Sequence, residues 1–224
     1  MKQINTKFGR LYEVRPGVYY PSVTTMIKYN SDETWLEEWR KREPNHKQIV
    51  LEASTIGTDL HYLCELYCTN TVAPSTFIPH IEAQELWPNM KIAIDDITND
   101  FIFSEHRMCS DKLRVAGTCD LVACKDDRLI IIDFKNSRKR KSPSSIKNYY
   151  IQIAMYAQMV EEMYNYKVDT GYILIACRDT KTTQTIEVDI NEWKSYAKIY
   201  SNNLWKQFET NPELQNLFKT GAAQ

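Results

Sequence analysis

Apolar residues fall at helical spacing through much of the first hundred residues and in strand-like runs through much of the next hundred. After a short extended start, with YYPSVTT as strand or loop, SDETWLEEWRKRE opens on Ser31 or Asp32 as a capping residue. Trp35, Leu36 and Trp39 then share one helix face, which is expected to be core, with a base-stacking platform at Trp35 and Trp39 as the alternative. Residues 47–69 predict a second helix with Leu60, Leu63, Cys64 and Tyr67 as its stripe, and 80–98 a third, bent or broken before Pro88. FIFSEHRMC (101–109), LRVAGTCDLVAC (113–124) and RLIIIDFK (128–135) predict three successive strands. A long amphipathic helix over 144–164, strands over 170–177 and 183–190, and a closing helix over 191–209 capped by Asn191 complete the chain. The pattern predicts an α/β fold: a central mixed β-sheet flanked by helices, with a helical N-terminal elaboration. A single domain over 1–224 is expected, mainly helical over 1–100 and with the sheet core over 101–210.

Composition leaves this picture in place. With 43% apolar and 25% charged residues the chain is that of a globular protein, with disorder expected only in the tail TGAAQ. A formal net charge of −1 means that any nucleic-acid contact must come from local patches. The six cysteines form no CxxC pair and no apolar leader precedes MKQINTKFGR, so reduced thiols and an intracellular location are expected. Cys64 and Cys68, four apart, lack further ligands at a matching spacing for a metal site. No run approaches the ~18 apolar residues of a membrane span.

One feature conflicts with an ordinary sheet. Asp120 and Asp133 stand in apolar strands, and a hairpin turn centred on Asp126 and Asp127 sets them opposite each other on one face. Lys135 shares that face. Facing carboxylates repel, and burial strips their hydration. A proton on one acid relieves the conflict, and so does a divalent cation between them, with hard oxygen donors favouring Mg²⁺ or Mn²⁺. Salt bridges to Lys135 and Arg114 are the structural alternative.

Further motifs fall into order around these acids. GTDLH (57–61), Glu105, GTCD (117–120), IIDFK (131–135), then Gln152 and Tyr156 spaced i,i+4, together resemble the PD-(D/E)XK nuclease superfamily. Within it the chain is similar to the RecB-type exonuclease branch, including mitochondrial genome maintenance and phage exonucleases of similar size, whose opening PSVTT also resembles. The likeness implies a restriction-endonuclease-like core. It implies Asp120, Asp133, the Phe134 carbonyl and His61 as metal ligands, and Lys135 as the residue that activates water and steadies the transition state. Glu105 would touch the metal's water or orient the site; Gln152 and Tyr156 would buttress it or touch the DNA backbone. Asp133 stands where many relatives carry Glu, and the histidine ligand favours Mn²⁺ slightly. Only Cys177 follows residue 124, so the four-cysteine iron–sulfur cluster of some relatives is not expected.

Directly after the Asp133–Lys135 strand, Arg138, Lys139, Arg140 and Lys141 form a basic segment, either a solvated loop or a flexible grip on phosphates. Tyr19, Tyr20, Tyr149 and Tyr150 are candidates to stack on bases. The resulting expectation is a monomeric, Mg²⁺- or Mn²⁺-dependent exonuclease acting on DNA ends, single-stranded by preference, within the cell or, for a phage protein, the host cytoplasm. A structure-specific endonuclease and a non-catalytic DNA-end binder are the alternatives.

Overall fold

The computed structural model describes residues 1–213 and 215. The chain opens on three antiparallel strands, β1 (Lys2–Thr6), β2 (Gly9–Arg15) and β3 (Val18–Pro21). Most of this sheet was not expected, because its short strands bury only Leu11, Tyr12, Tyr20 and Pro21 and so carry a weak alternation. Ser22 then caps α1 (Val23–Tyr29), its hydroxyl accepting from the Thr25 N–H, so PSVTT is a strand end and a helix cap.

Helices α2 (Thr34–Arg42), α3 (His46–Cys68) and α4 (Ile81–Asp95) follow. α2 buries none of its residues and Trp35 is 66% exposed, so the expected Trp35–Trp39 core face is corrected to an open surface. The N-cap of α2 is Glu33 rather than Ser31 or Asp32, although Asp32 accepts the Thr34 N–H from the position before it. α4 runs unbroken through Pro88: the proline faces solvent, where water can serve the carbonyl it displaces, while Ala83, Leu86, Met90 and Ile94 anchor the opposite face.

The central sheet comprises β4 (Asp100–Ser110), β5 (Val115–Lys125), β6 (Arg128–Ser137), β7 (Thr170–Cys177) and β8 (Thr182–Asp189), in that spatial order. All neighbours are antiparallel except β6 and β7, which the helix α5 (Lys147–Tyr164) connects in parallel after a 3-10 turn at Pro143–Ile146. α6 (Ile190–Thr210) closes the fold; its cap is Asp189, whose carboxylate takes the Asn191 N–H, rather than Asn191. The TGAAQ tail lies outside the described residues.

Each face of the sheet is covered. Val122, Ile131, Ile173 and Ile175 pack under α5 and α6, while Leu121, Ile130, Ile132 and Leu174 pack under α3 and α4. The period-two alternation of β6 and β7 therefore feeds two cores. Ile56 and Leu60, both fully buried, fasten α3 to its face, each burial contributing about 1.5–3 kcal/mol.

Candidate active site at the fork of two strands

Asp126 and Asp127 both adopt left-handed backbone conformations (φ 49° and 61°), as a two-residue hairpin requires, and Lys125 pairs with Arg128. The ladder then runs to Leu121–Ile132 and stops. Beyond it β5 continues along β4 and β6 along β7, so the two strands part just before Asp120 and Asp133. Asp120 Oδ2 accepts the Phe134 N–H at 2.8 Å, a carboxylate serving a backbone donor that the ladder no longer serves. The N-terminal sheet reaches the fork through the Ser22–Ala116 bridge and through Tyr12, whose hydroxyl lies 3.3 Å from Thr118 Oγ1.

Across β4, Glu105 lies between the pairs Ser104–Leu121 and His106–Cys119, and so opposite Asp120. Its φ is +48°, a conformation that costs a non-glycine residue roughly 1–2 kcal/mol and persists only where the surroundings impose it. α3 supplies His61, whose Nδ1 stands 3.6 Å from Asp120 Oδ2 and 3.9 Å from Glu105 Oε1. One ligand atom from each of His61, Glu105 and Asp120 lies within 4.8 Å of the others. Burial opposes a charge on His61, but Asp120 and then Glu105 outweigh it and hold the imidazole above its ordinary pKa. A cation is the natural occupant of such a group, because one nitrogen and several anionic oxygens converge with too few protons among them.

Asp133 stands beside this trio rather than within it. It is 1% exposed; Gln152 Nε2 donates to its Oδ1 at 2.8 Å, and Lys135 Nζ touches its Oδ2. That contact lacks hydrogen-bond geometry, leaving Oδ2 a buried acceptor without a proper donor. Burial pushes the Asp133 carboxyl up to about 6 against the pull of Lys135, and Asp120 adds to the rise. Burial also works against the Lys135 charge, but Asp133 and Asp120 more than compensate and keep it an ammonium. Lys135 further donates to the Phe134 carbonyl at 3.3 Å. Arg114 does not join these acids; its guanidinium lies over the Trp205 ring at 4.0 Å.

Gln152 and Tyr156 lie on the inner face of α5, 8% and 4% exposed, and offer little surface to a DNA strand. Tyr156 packs over Gly117, where a Cβ would come within 2.9 Å of the ring, so the glycine of GTCD makes room for the tyrosine. Of the tyrosines expected to stack on bases, Tyr20 is buried and bonded to Asp111, and Tyr150 is buried against Trp193. Tyr149 is half-buried, with its ring 5.2 Å from Lys135 Nζ. Burial raises the Cys64 and Cys68 thiols, Cys68 to about 12.

Arg138, Lys139, Arg140 and Lys141 leave the end of β6 and are exposed. Its ends are bonded: Asp179 N donates to Arg138 O, and Lys141 exchanges two hydrogen bonds of 2.9 Å with the Gln184 side chain. The segment is therefore a loop tied at both ends, in which Arg138 pairs with Asp179 at 3.3 Å while Lys139, Arg140 and Lys141 are exposed. Asn136, which the motifs had not singled out, contacts α3 through its side chain.

The family model of the PD-(D/E)XK nuclease superfamily matches residues 31–215. One component of an ATP-dependent helicase/nuclease from Carboxydothermus hydrogenoformans is 30% identical over 95 residues, which are 42% of this chain and 8% of that much longer protein. The solved structure of SSO0001 aligns over 49% of this chain and 50% of its own, at 12% identity and a TM-score of 0.31. The helicase/nuclease match supports the RecB-type branch. With its family match spanning most of the sequence, and the conflicting acids of β5 and β6 meeting at a fork beside a histidine, the chain belongs to the PD-(D/E)XK nuclease superfamily.

Proposed function

We propose that the protein is a single-domain, monomeric, intracellular exonuclease that hydrolyses phosphodiester bonds from DNA ends with Mg²⁺ or Mn²⁺, preferring single strands and using no iron–sulfur cluster. The observation that carries the reading is the convergence of His61, Glu105 and Asp120 beside the Asp133–Lys135 pair. His61, Asp120, Asp133 and the Phe134 carbonyl are the proposed metal donors. Glu105, which converges with His61 and Asp120, joins them or orients the water. When bound, a divalent cation supplies Lewis acidity towards the phosphate and makes water a better nucleophile.

The chain's own groups divide the remaining work. The Lys135 ammonium provides positive charge where the phosphoryl oxygens gather negative charge. Gln152 fixes one oxygen of Asp133, and Tyr156, seated on Gly117, holds α5 at the depth that allows it. Water adds to phosphorus, the bond to the departing oxygen breaks, and that oxygen takes a proton.

Preference for ends rests on the helical part that precedes the sheet core. α3 meets the end of β6 at Ala53, and its first seven residues, ~10 Å of helix, continue past that contact, while α2 buries none of its residues. Helices arching over the site would admit only a threaded strand. The test is digestion of linear and circular single-stranded DNA of one sequence, with Mg²⁺, Mn²⁺ or EDTA. Linear DNA should be degraded and circular DNA spared, with no cleavage in EDTA. Cleavage of the circle would favour the endonuclease, and binding without cleavage in any metal the end-binding module.

The tied basic loop gives a separate expectation. Replacing Arg138, Lys139, Arg140 and Lys141 with serine should weaken DNA binding and flatten its salt dependence, the log–log slope falling by ~0.7 for each single-strand phosphate no longer neutralised. Turnover at saturating DNA should change far less, since these side chains lie outside the metal group. Fluorescence anisotropy over a salt series, with Ca²⁺ to block cleavage, measures the slope. An unchanged slope returns the loop to solvent.

A further inference from the structure

We infer that Asn136 is a positioning residue for His61, acting through a clip on Gly57; the inference rests on the reading of His61 as a metal donor. Asn136 follows Lys135 and, by strand alternation, shares the face of Phe134 rather than that of Asp133. Its Nδ2 donates to the Ala53 carbonyl of α3 at 3.1 Å. In an α-helix that carbonyl already serves the Gly57 N–H, so the side chain lies against the backbone at Gly57. A Cβ at Gly57 would stand 2.4 Å from Asn136 Nδ2, too close for any real contact.

Gly57 has no left-handed backbone to explain it and is a poor helix former. What requires the glycine is the room that Asn136 occupies. Ala53, Gly57 and His61 succeed one another at four-residue steps, so the clip engages the face of α3 that bears the histidine, ~6 Å before it.

The place of the clip gives it leverage. Towards its start α3 is open to solvent at Val50 and Leu51, and its burial begins at Ile56. Asn136 ties the helix at the edge of that held region, from the strand that also bears Asp133 and Lys135. The side chain thereby sets the height of His61 over Asp120, with the Phe134 ring, edge-on to the imidazole at 5.9 Å, as the floor. Supporting contacts of this kind change metal affinity by about 10–100-fold when removed.

The test is Mn²⁺ binding to the DNA-free protein by titration calorimetry, with thermal unfolding measured alongside and His61→Ala as the reference. Asn136→Ala should weaken Mn²⁺ about tenfold and lower kcat, with little change in KM for DNA. Gly57→Ala should weaken Mn²⁺ at least as much. The double variant should be no worse than Asn136→Ala, because the group that the new methyl strikes has gone. Should Asn136→Ala fold poorly, Asn136→Ser, too short to reach Ala53, serves instead. A variant with lower unfolding temperature but parental Mn²⁺ affinity overturns the inference, as does full additivity in the double variant. If His61→Ala itself leaves Mn²⁺ affinity unchanged, the metal reading fails first.

Discussion

Replacing Asp120 with asparagine is expected to abolish cleavage while leaving the fold intact. The substitution separates the two tasks of one side chain. Asp120 Oδ2 accepts the Phe134 N–H across the fork, and an amide oxygen can do the same, so β6 keeps its place. The negative charge that faces His61 and Glu105 is lost, and with it the cation's strongest reason to bind. Lewis-acid stabilisation is worth several kcal/mol and each ~1.4 kcal/mol is tenfold, so the loss should reach about 10³-fold or more. Calorimetry should show Mn²⁺ affinity falling with activity, and circular dichroism an unchanged spectrum. Retained turnover in the metal-bound parental range would remove Asp120 from the site.

The sheet core was legible because its strands announce themselves twice. β6 and β7 are nearly continuous apolar runs, and the Asp126–Asp127 turn fixes a register that decides which residues face each other. The N-terminal sheet was not legible, since β1 and β3 are short and bury little. α2 shows the converse failure. Trp35, Leu36 and Trp39 form a proper helical stripe, but periodicity reports an apolar face and not what covers it. Pro88 does not break α4, which is held by its buried face.

Legibility of the site followed the same division. The nearness of Asp120 to Asp133 follows from the hairpin register, and that of Gln152 to Asp133 from helical spacing once α5 is packed on that face. The end of the ladder one pair before the acids could not be read, because nothing in GTCD or IIDFK marks where two strands part. Nor could the left-handed backbone of Glu105, which sits in the middle of a run that reads as plain strand. The glycines of GTDLH and GTCD were seen as motif letters. Only packing reveals them as seats for Asn136 and Tyr156, side chains distant in sequence.

Replacing Lys135 with alanine should lower turnover by about 10²–10³-fold, the effect of removing one preorganised electrostatic donor, while DNA affinity stays within a few-fold. The expectation treats Lys135 as a charge rather than a base, in keeping with Asp133 and Asp120, which raise its pKa despite its burial. A second consequence must be separated from the first. Asp133, 1% exposed, already titrates at about 6, and Lys135 is what pulls that value down. Without the ammonium the carboxyl should rise further, so near neutral pH part of the Lys135→Ala protein would carry a protonated Asp133 and bind metal poorly. Raising the pH through that displaced value restores the carboxylate but not the missing cation. Turnover of Lys135→Ala should therefore recover only in part as the pH is raised through that displaced value and Mn²⁺ affinity returns, and then level off well below the parent. Full recovery at the upper pH would mean that Lys135 acts only by keeping Asp133 ionised, and its assignment to the transition state would be wrong. Lys135→Arg adds a check on the same point. It keeps the charge, but beside the Tyr149 ring and the buried Asp133 a planar guanidinium lacks the point-like placement of the ammonium, so it should fall between parent and alanine at every pH.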